Sequence, residues 1–226
     1  NGGSVQMDGP TTATVRLAEA QEAARILGAK FYPPVVNDMT LTFDIEVMRK
    51  VAAVIRQSRA DIVLTHALSD YMEDHMACAR LATSAAFTHG MPNFDTVPPA
   101  PTYAHDVTIY HAMPHGLRTP LRQKVRAGLY VDVGPVQDQA RKALAAHASQ
   151  KDWLDKSQGM DSYLHTLDKM SAAVGALSGK YALAQGWCRH HHLGYSASEI
   201  DPLRSALGSD CVVDAVYEAA LEHPLP

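Results

Sequence analysis

Cysteine, positive charge and long apolar runs are all scarce in this chain. Its 226 residues contain three cysteines, Cys78, Cys188 and Cys211, an odd number at wide spacing with no CxxC pair. Neither a disulfide framework nor a cysteine zinc site is therefore indicated, and a reducing cytoplasm is the expected setting. Twenty basic side chains stand against 24 acidic ones, a formal charge of −4, which offers no field for a nucleic-acid backbone. No run approaches the roughly 18–20 apolar residues that span a bilayer. The N-terminus also lacks the basic, apolar and small-residue segments of a secretory signal. There is no internal repeat and no low-complexity tract. These absences argue against a nucleic-acid partner and against a membrane span.

The hydrophobic content is 46%, enough for a substantial core, and no break in composition separates two halves, so one domain over residues 1–226 is expected. The opening Asn1-Gly2-Gly3-Ser4 reads as a loop that follows some earlier element, and an upstream segment is expected.

Apolar spacing sets out the elements. Thr11 to Leu27 carries Val15, Ala18, Ala23, Ile26 and Leu27 on one helical stripe, with Gly28 at the position of a left-handed cap. Lys30 to Val36 reads as a short strand confined to an edge by Pro33-Pro34. Phe43 to Ser58 is a second amphipathic helix, and 61 to 66 a short β-branched strand. A helix follows from Glu73 to about Thr88, and then a proline-rich loop from Met91 to Pro101, of the length that is often functional. Asp106 to His111 and Leu129 to Val133 read as strands, and Pro135 to Gln150 as a helix with proline in its first turn. Two further helices, Asp161 to Ser178 and Lys180 to His190, precede a polar C-terminal region. Alternating strands and helices predict an α/β chain, a Rossmann-like three-layer fold with a mainly parallel sheet.

The richest stretch chemically is 61 to 75, where the apolar run Ile62-Val63-Leu64 leads into Asp70, Glu73, Asp74 and His75. Open α/β sheets bind ligands beyond the carboxyl ends of their strands, so acids and an imidazole there point to metal or acid–base chemistry. Asp70 and Glu73 are equally consistent with a helix N-cap and its capping-box partner. His75 is the stronger candidate, because the positive end of a helix favours the neutral imidazole that binds metal. His190-His191-His192 is a weaker metal candidate, since adjacent helical residues point in different directions.

The order of motifs resembles the LmbE-like, or PIG-L, family of zinc-dependent N-acetylglucosaminyl deacetylases. Arg16-Leu17-Ala18-Glu19 with Ala23-Ala24 and Leu27-Gly28 is similar to the family's R-x-x-E…A-A-x-x-L-G helix. Arg56 and the 61–65 strand lead to Asp74-His75, similar to its H-x-D-H element. Tyr130-Val131-Asp132-Val133 and the helix ending Ala146-His147-Ala148-Ser149-Gln150 form a third match. Gly175, Gly179, Tyr181 and Ala184-Gln185-Gly186-Trp187, similar to A-E-G-F, form a fourth. There are departures. The A-H-P-D-D segment, which supplies a histidine and an aspartate to the zinc and an aspartate as base, does not occur in these residues. Met72 stands where many members have histidine, Glu73 where many have proline, and Gln185 replaces a glutamate.

The resemblance implies a hydrolase that removes an acetyl or related acyl group from an amino sugar or glycoconjugate. It would use zinc or another divalent metal, which would supply a water activated near neutral pH for the attack on the carbonyl, with a carboxylate to move the proton. His75 would be a metal ligand and Asp74 would orient an imidazole as a catalytic-site carboxylate. Arg16 and Asp38 would contact sugar hydroxyls, and Met72 would line the substrate position without donating a hydrogen bond. Either the metal alone would polarise the carbonyl, or His111 or His115 would approach as a substitute donor, His115 being the catalytic candidate. The alternative is a catalytically incomplete member that binds a carbohydrate or a partner. A homo-oligomer is also open, because a sheet missing strands would expose an edge.

Overall fold

The computed structural model describes residues 2–4, 6–158 and 163–223. They contain α1 (Gly9–Leu27), α2 (Ile45–Ser58), β1 (Ile62–Thr65), α3 (Glu73–Phe87), β2 (Thr108–Ala112), β3 (Leu129–Asp132) and α4 (Gln137–Ala145). These are followed by α5 (Ala148–Gln158), α6 (Tyr163–Ser178), β4 (Ala184–Arg189), α7 (Pro202–Leu207), β5 (Cys211–Val213) and α8 (Ala215–Leu221). The chain divides into two compact units, one made of 1–39 and 132–184, the other of 40–131 and 185–226. None of the described helices is long and apolar enough to cross a membrane.

The first unit is helical. Asp8 caps α1 by accepting the Thr11 N–H, Pro10 sits in the first turn, and Gly28 closes the helix at φ 67°, as its sequence predicts. Glu19 then serves another helix: its carboxylate accepts the Ser149 N–H at 2.8 Å and the Ser149 hydroxyl at 2.7 Å, which ties the start of α5 to α1. Gln137 and Arg141 of α4 both hold Asp168 of α6, and the Tyr163 hydroxyl donates to the Leu144 carbonyl. Gly175 has no room for a side chain, because a Cβ there would meet the Ala182 carbonyl oxygen at 2.5 Å. The predicted helix over 135 to 150 is broken. A 3-10 turn precedes α4, and the chain leaves helical hydrogen bonding at Ala146 before α5 begins. No strand forms over 30–36, where two prolines remove successive donors. The predicted start of the next helix, 161–162, lies outside the described residues.

The second unit holds the sheet, in the order β1-β2-β4-β3-β5. β1 and β2 are parallel, with Thr65 opposite His111. β2 with β4 and β3 with β5 are antiparallel. The mainly parallel sheet expected from the sequence is therefore corrected to a mostly antiparallel one. The cause is local. Residues 184–189, inside the helix expected over Lys180 to His190, form β4, with Ala184 and Gly186 buried and Gln185 exposed between them, and β5 comes from the supposed polar tail. Gly186 is required in β4, because a Cβ would lie 2.5 Å from the Met113 sulfur and 2.8 Å from Ala127.

Successive residues of β2 feed two cores, as the strand period of two demands. Ile109 joins Ala52 and Ile55 of α2, Val63 of β1, and Ala85 and Ala86 of α3. Tyr110 joins Leu129 and Cys211, with Leu203 and Leu207 of α7 packed against them, and its hydroxyl bonds Asp201 at 2.6 Å. β1 stands at one end of the strand order, and its Leu64 is 51% exposed. The long loop after α3 is fastened from within by Arg56, which is 5% exposed and donates to the carbonyls of Thr88, Met91 and Ala100.

Candidate active site

Beyond the carboxyl end of β1 the chain runs through His66 to Asp70 before α3 begins. Asp70 is 3% exposed and does not cap α3. Met72 is the N-cap and makes no side-chain cap bond, so the capping-box reading is corrected. The Asp70 carboxylate instead turns back on its own loop. It accepts the Met72 N–H at 3.1 Å and sits 3.0 Å from His75 Nδ1. An ionised carboxylate can only accept, so Nδ1 carries the proton and the lone pair of neutral His75 is left on Nε2. A buried acid fixing the tautomer of an imidazole is the arrangement that prepares a metal ligand or a general base.

Other rings surround His75. His66 stacks on it with ring centres 4.3 Å apart and planes 4° from parallel. Tyr71 meets it edge-on at 5.6 Å, and Tyr71 lies 6.2 Å from His115, so His115 reaches this group of rings through the tyrosine. Burial lowers the His66 pKa, the nearby His75 ring lowers it further, and Asp70 partly opposes both. Burial raises the Tyr71 phenol, and the Asp70 charge adds to this. Asp74 lies on the first turn of α3, beside Glu73. The carboxylate bonded to His75 is that of Asp70, which the sequence offered as a cap. His66 and Tyr71 carried no motif signal that marked them, since their proximity depends on the 66–72 loop folding back.

His111 is buried with both ring nitrogens engaged. Nδ1 is 2.8 Å from the His66 carbonyl oxygen and Nε2 is 3.0 Å from His190 Nδ1. It therefore holds protein groups rather than facing a substrate carbonyl. Burial lowers the pKa of both His111 and His190, and for His190 the neighbouring His111 and His191 rings add to the effect. The folded state resists these protons, whereas an unfolded histidine takes one up near pH 6.5. Stability from this pair is complete above about pH 6.5 and is lost as the pH falls towards the lowered folded values. Urea midpoints are expected to drop between about pH 7 and 5, and less steeply in His111→Asn.

Arg16 and Asp38 belong to the first unit, and both meet the 2–3 segment. Arg16 donates to the Gly3 carbonyl, and Asp38 lies so close to Gly2 that a side chain there would collide with its carboxylate. Arg16 also lines a cleft of about 420 Å³ with Leu17, Phe31, Tyr32, Asn37 and His147, and its Nε is buried without a hydrogen-bond partner. This cleft combines apolar walls with a few polar groups, as small-molecule sites do.

Among the described residues no group of three or more His, Cys, Asp or Glu side chains is placed to hold a metal ion. His75 offers one lone pair with a buried carboxylate behind it. It fits the part of a single ligand and does not make a complete metal centre.

Solved structures share the fold at low identity. The conserved protein TT1542 of Thermus thermophilus is 22% identical over 83% of this chain and 78% of its own, with a TM-score of 0.61. The N,N'-diacetylchitobiose deacetylase of Pyrococcus horikoshii is 22% identical over 88% and 71%, with a TM-score of 0.63. GalB of Pseudomonas putida KT2440, a 4-carboxy-2-hydroxymuconate hydratase, is 22% identical over 87% and 78%, with a TM-score of 0.62. One fold thus carries different chemistries, and at this identity it speaks for architecture alone. The segment from the opening glycines through Asp70, His75 and most of α3 says more: residues 1–86 match the family model PIG-L, GlcNAc-PI de-N-acetylase.

Proposed function

We propose that the chain is a deacetylase-type amide hydrolase acting on an N-acylated amino sugar or glycoconjugate, with His75 at its reacting centre. The observation that carries this reading is the buried Asp70 carboxylate on His75 Nδ1, inside the segment that matches the de-N-acetylase family model. In this reading Asp70 holds the imidazole so that Nε2 faces outward, and Tyr71 and His66 fix the plane of the ring. Asp74 and His115 are the further acid–base candidates. Within the first unit Arg16 and Asp38 are the candidates for binding sugar hydroxyls, and within the second the Met72 thioether packs against substrate without donating to it. Zinc, or another divalent cation, is the cofactor the reading calls for, with His75 as one of its ligands. Among the described residues no further side chains complete that centre.

The test is acetate release from N-acetylglucosamine, N,N'-diacetylchitobiose and GlcNAc-phosphatidylinositol with zinc supplied, alongside metal analysis of wild type and His75→Ala. Release that His75→Ala abolishes supports the hydrolase, and equal zinc content in the two proteins overturns the ligand assignment. A protein made of residues 1–226 alone is expected to lose its zinc on desalting, since one protein ligand leaves the rest of the coordination to water. The incomplete donor set favours a second reading, in which the protein binds a carbohydrate or a partner without hydrolysing it. Saccharide binding with no acetate release under any metal would establish that reading in place of the first.

A further inference from the structure

The second unit contains a histidine pair that the proposed chemistry does not use. His111 occupies β2 opposite Thr65, the last residue of β1. His190 follows β4 directly, and its backbone N–H donates to the Ile109 carbonyl at 2.8 Å. Three neighbouring chain segments thus converge where the 66–75 loop leaves the sheet. The protonation of the pair follows from its partners. A carbonyl oxygen only accepts, so His111 Nδ1 carries a proton and donates to His66. The neutral ring then has its lone pair on Nε2, so the bond to His190 requires the proton to sit on His190 Nδ1. The bonds run in one direction, from His190 through His111 to the His66 carbonyl.

We propose that His111 and His190 form a clasp that positions His66, and through its ring the plane of His75. The clasp grips the backbone of His66 at 2.8 Å, and the ring on that residue lies flat against His75 at 4.3 Å. His75 is thereby fixed on two sides, by Asp70 at the edge of its ring and by His66 on its face. His111 and His190 are positioning residues; neither needs to touch a substrate. Tyr195 stands edge-on to His190 at 5.4 Å and braces its outer side. The clasp has a built-in limit. One added proton can rest on His190 Nε2 without disturbing either bond. If both rings become cations, His111 Nε2 and His190 Nδ1 are both donors and their bond breaks.

The role of the pair rests on His75 mattering to the proposed function, but the clasp is tested without any activity. In proton NMR of the full chain, the face-to-face stack displaces the His75 Cε1–H resonance upfield through the His66 ring current. Two-bond ¹⁵N spectra of the imidazoles report which nitrogen of each ring holds its proton. His111→Phe removes the donor to His66 and is expected to abolish the upfield displacement and to broaden the His66 signals. His111→Asn places an amide N–H near the position of Nδ1 and is expected to restore the displacement. An unchanged His75 resonance in folded His111→Phe overturns the clasp, as does finding the His111 proton on Nε2 in the wild type. If His111→Phe fails to fold, His190→Phe decides. Loss of its N–H frees the His111 ring and should shift His75 in the same direction, and no shift refutes the proposal. A retained clasp with no acetate release would count against the proposed hydrolase and leave this inference standing.

Discussion

Arg56→Met is expected to destabilise the protein by about 3–5 kcal/mol, the cost of breaking a buried charged network by removing one partner. The side chain is nearly inaccessible, yet it serves three carbonyls, from Thr88, Met91 and Ala100, at 2.9, 2.7 and 3.1 Å. Burial lowers its pKa, and the Asp95 charge works in the opposite direction, but a guanidinium stays charged throughout any working range. Methionine fills much of the volume and returns none of the donors. Three carbonyls that gave up water to face Arg56 would then face hydrocarbon, at about 1–3 kcal/mol for each one left unsatisfied. Part of that cost is recovered if the 88–101 loop opens to water, so the loss has a local signature. Hydrogen exchange should accelerate at the Val97 amide, which donates to the Arg49 carbonyl at the other side of the same loop, before it does in β2. A denaturation midpoint within experimental error of wild type would refute this account of Arg56. Lysine is not an equivalent replacement, because one ammonium cannot span three carbonyls set by the planar fork of arginine.

Asp70→Asn is the second large effect, expected in function with little change in fold. The substitution keeps the size of the side chain, but Oδ1 meets both the Met72 N–H and His75 Nδ1, so an amide turned to offer its NH₂ to His75 gives up the Met72 bond. Its consequence lies in the proton on His75. With a carboxylate opposite, Nδ1 must donate and Nε2 keeps the lone pair. An amide can present its NH₂ instead, which invites the opposite tautomer and puts a proton on the nitrogen that has to coordinate or act as a base. The loss in metal affinity or hydrolysis should be about 10- to 100-fold, the usual result of changing the group behind a working histidine. Asp74→Asn is the control on the neighbouring acid. It is expected to leave the His75 tautomer unchanged, and a tautomer that switches in Asp74→Asn but not in Asp70→Asn would show that the assignment of Asp70 as the orienting group is wrong. ¹⁵N chemical shifts of the His75 ring check the tautomer directly in both variants.

These residues show where the sequence could be read and where it could not. The helix from Thr11 to Leu27 was legible because apolar spacing and a glycine stop are local signals, and Gly28 closes it as a left-handed cap, although Ala18 and Leu27 of the expected stripe are exposed. β1 and α3 were legible for the same reason, and with them the position of His75 at a strand end. β4 was not. Alanine and glutamine favour a helix, and only pairing on both sides with β2 and β3 makes 184–189 a strand. That error turned a mostly antiparallel sheet into an expected parallel one. In the site, the choice between Asp70 and Asp74 was beyond pattern reading, because it depends on a loop that brings residues five apart together instead of on a helical or strand period. Glu19 makes a related point. It belongs to the motif by which the chain resembles the PIG-L family, but the bonds it makes hold α5 in place.

β1, last in the strand order with Leu64 half exposed, bears on how the protein must be handled. One side of its backbone has no sheet neighbour among the described residues, and the short Ile-Val-Leu-Thr sequence carries no charge or proline to repel an incoming strand. An edge of this kind invites strand addition between copies as concentration rises, so a dilution series is expected to separate association at this border from unfolding.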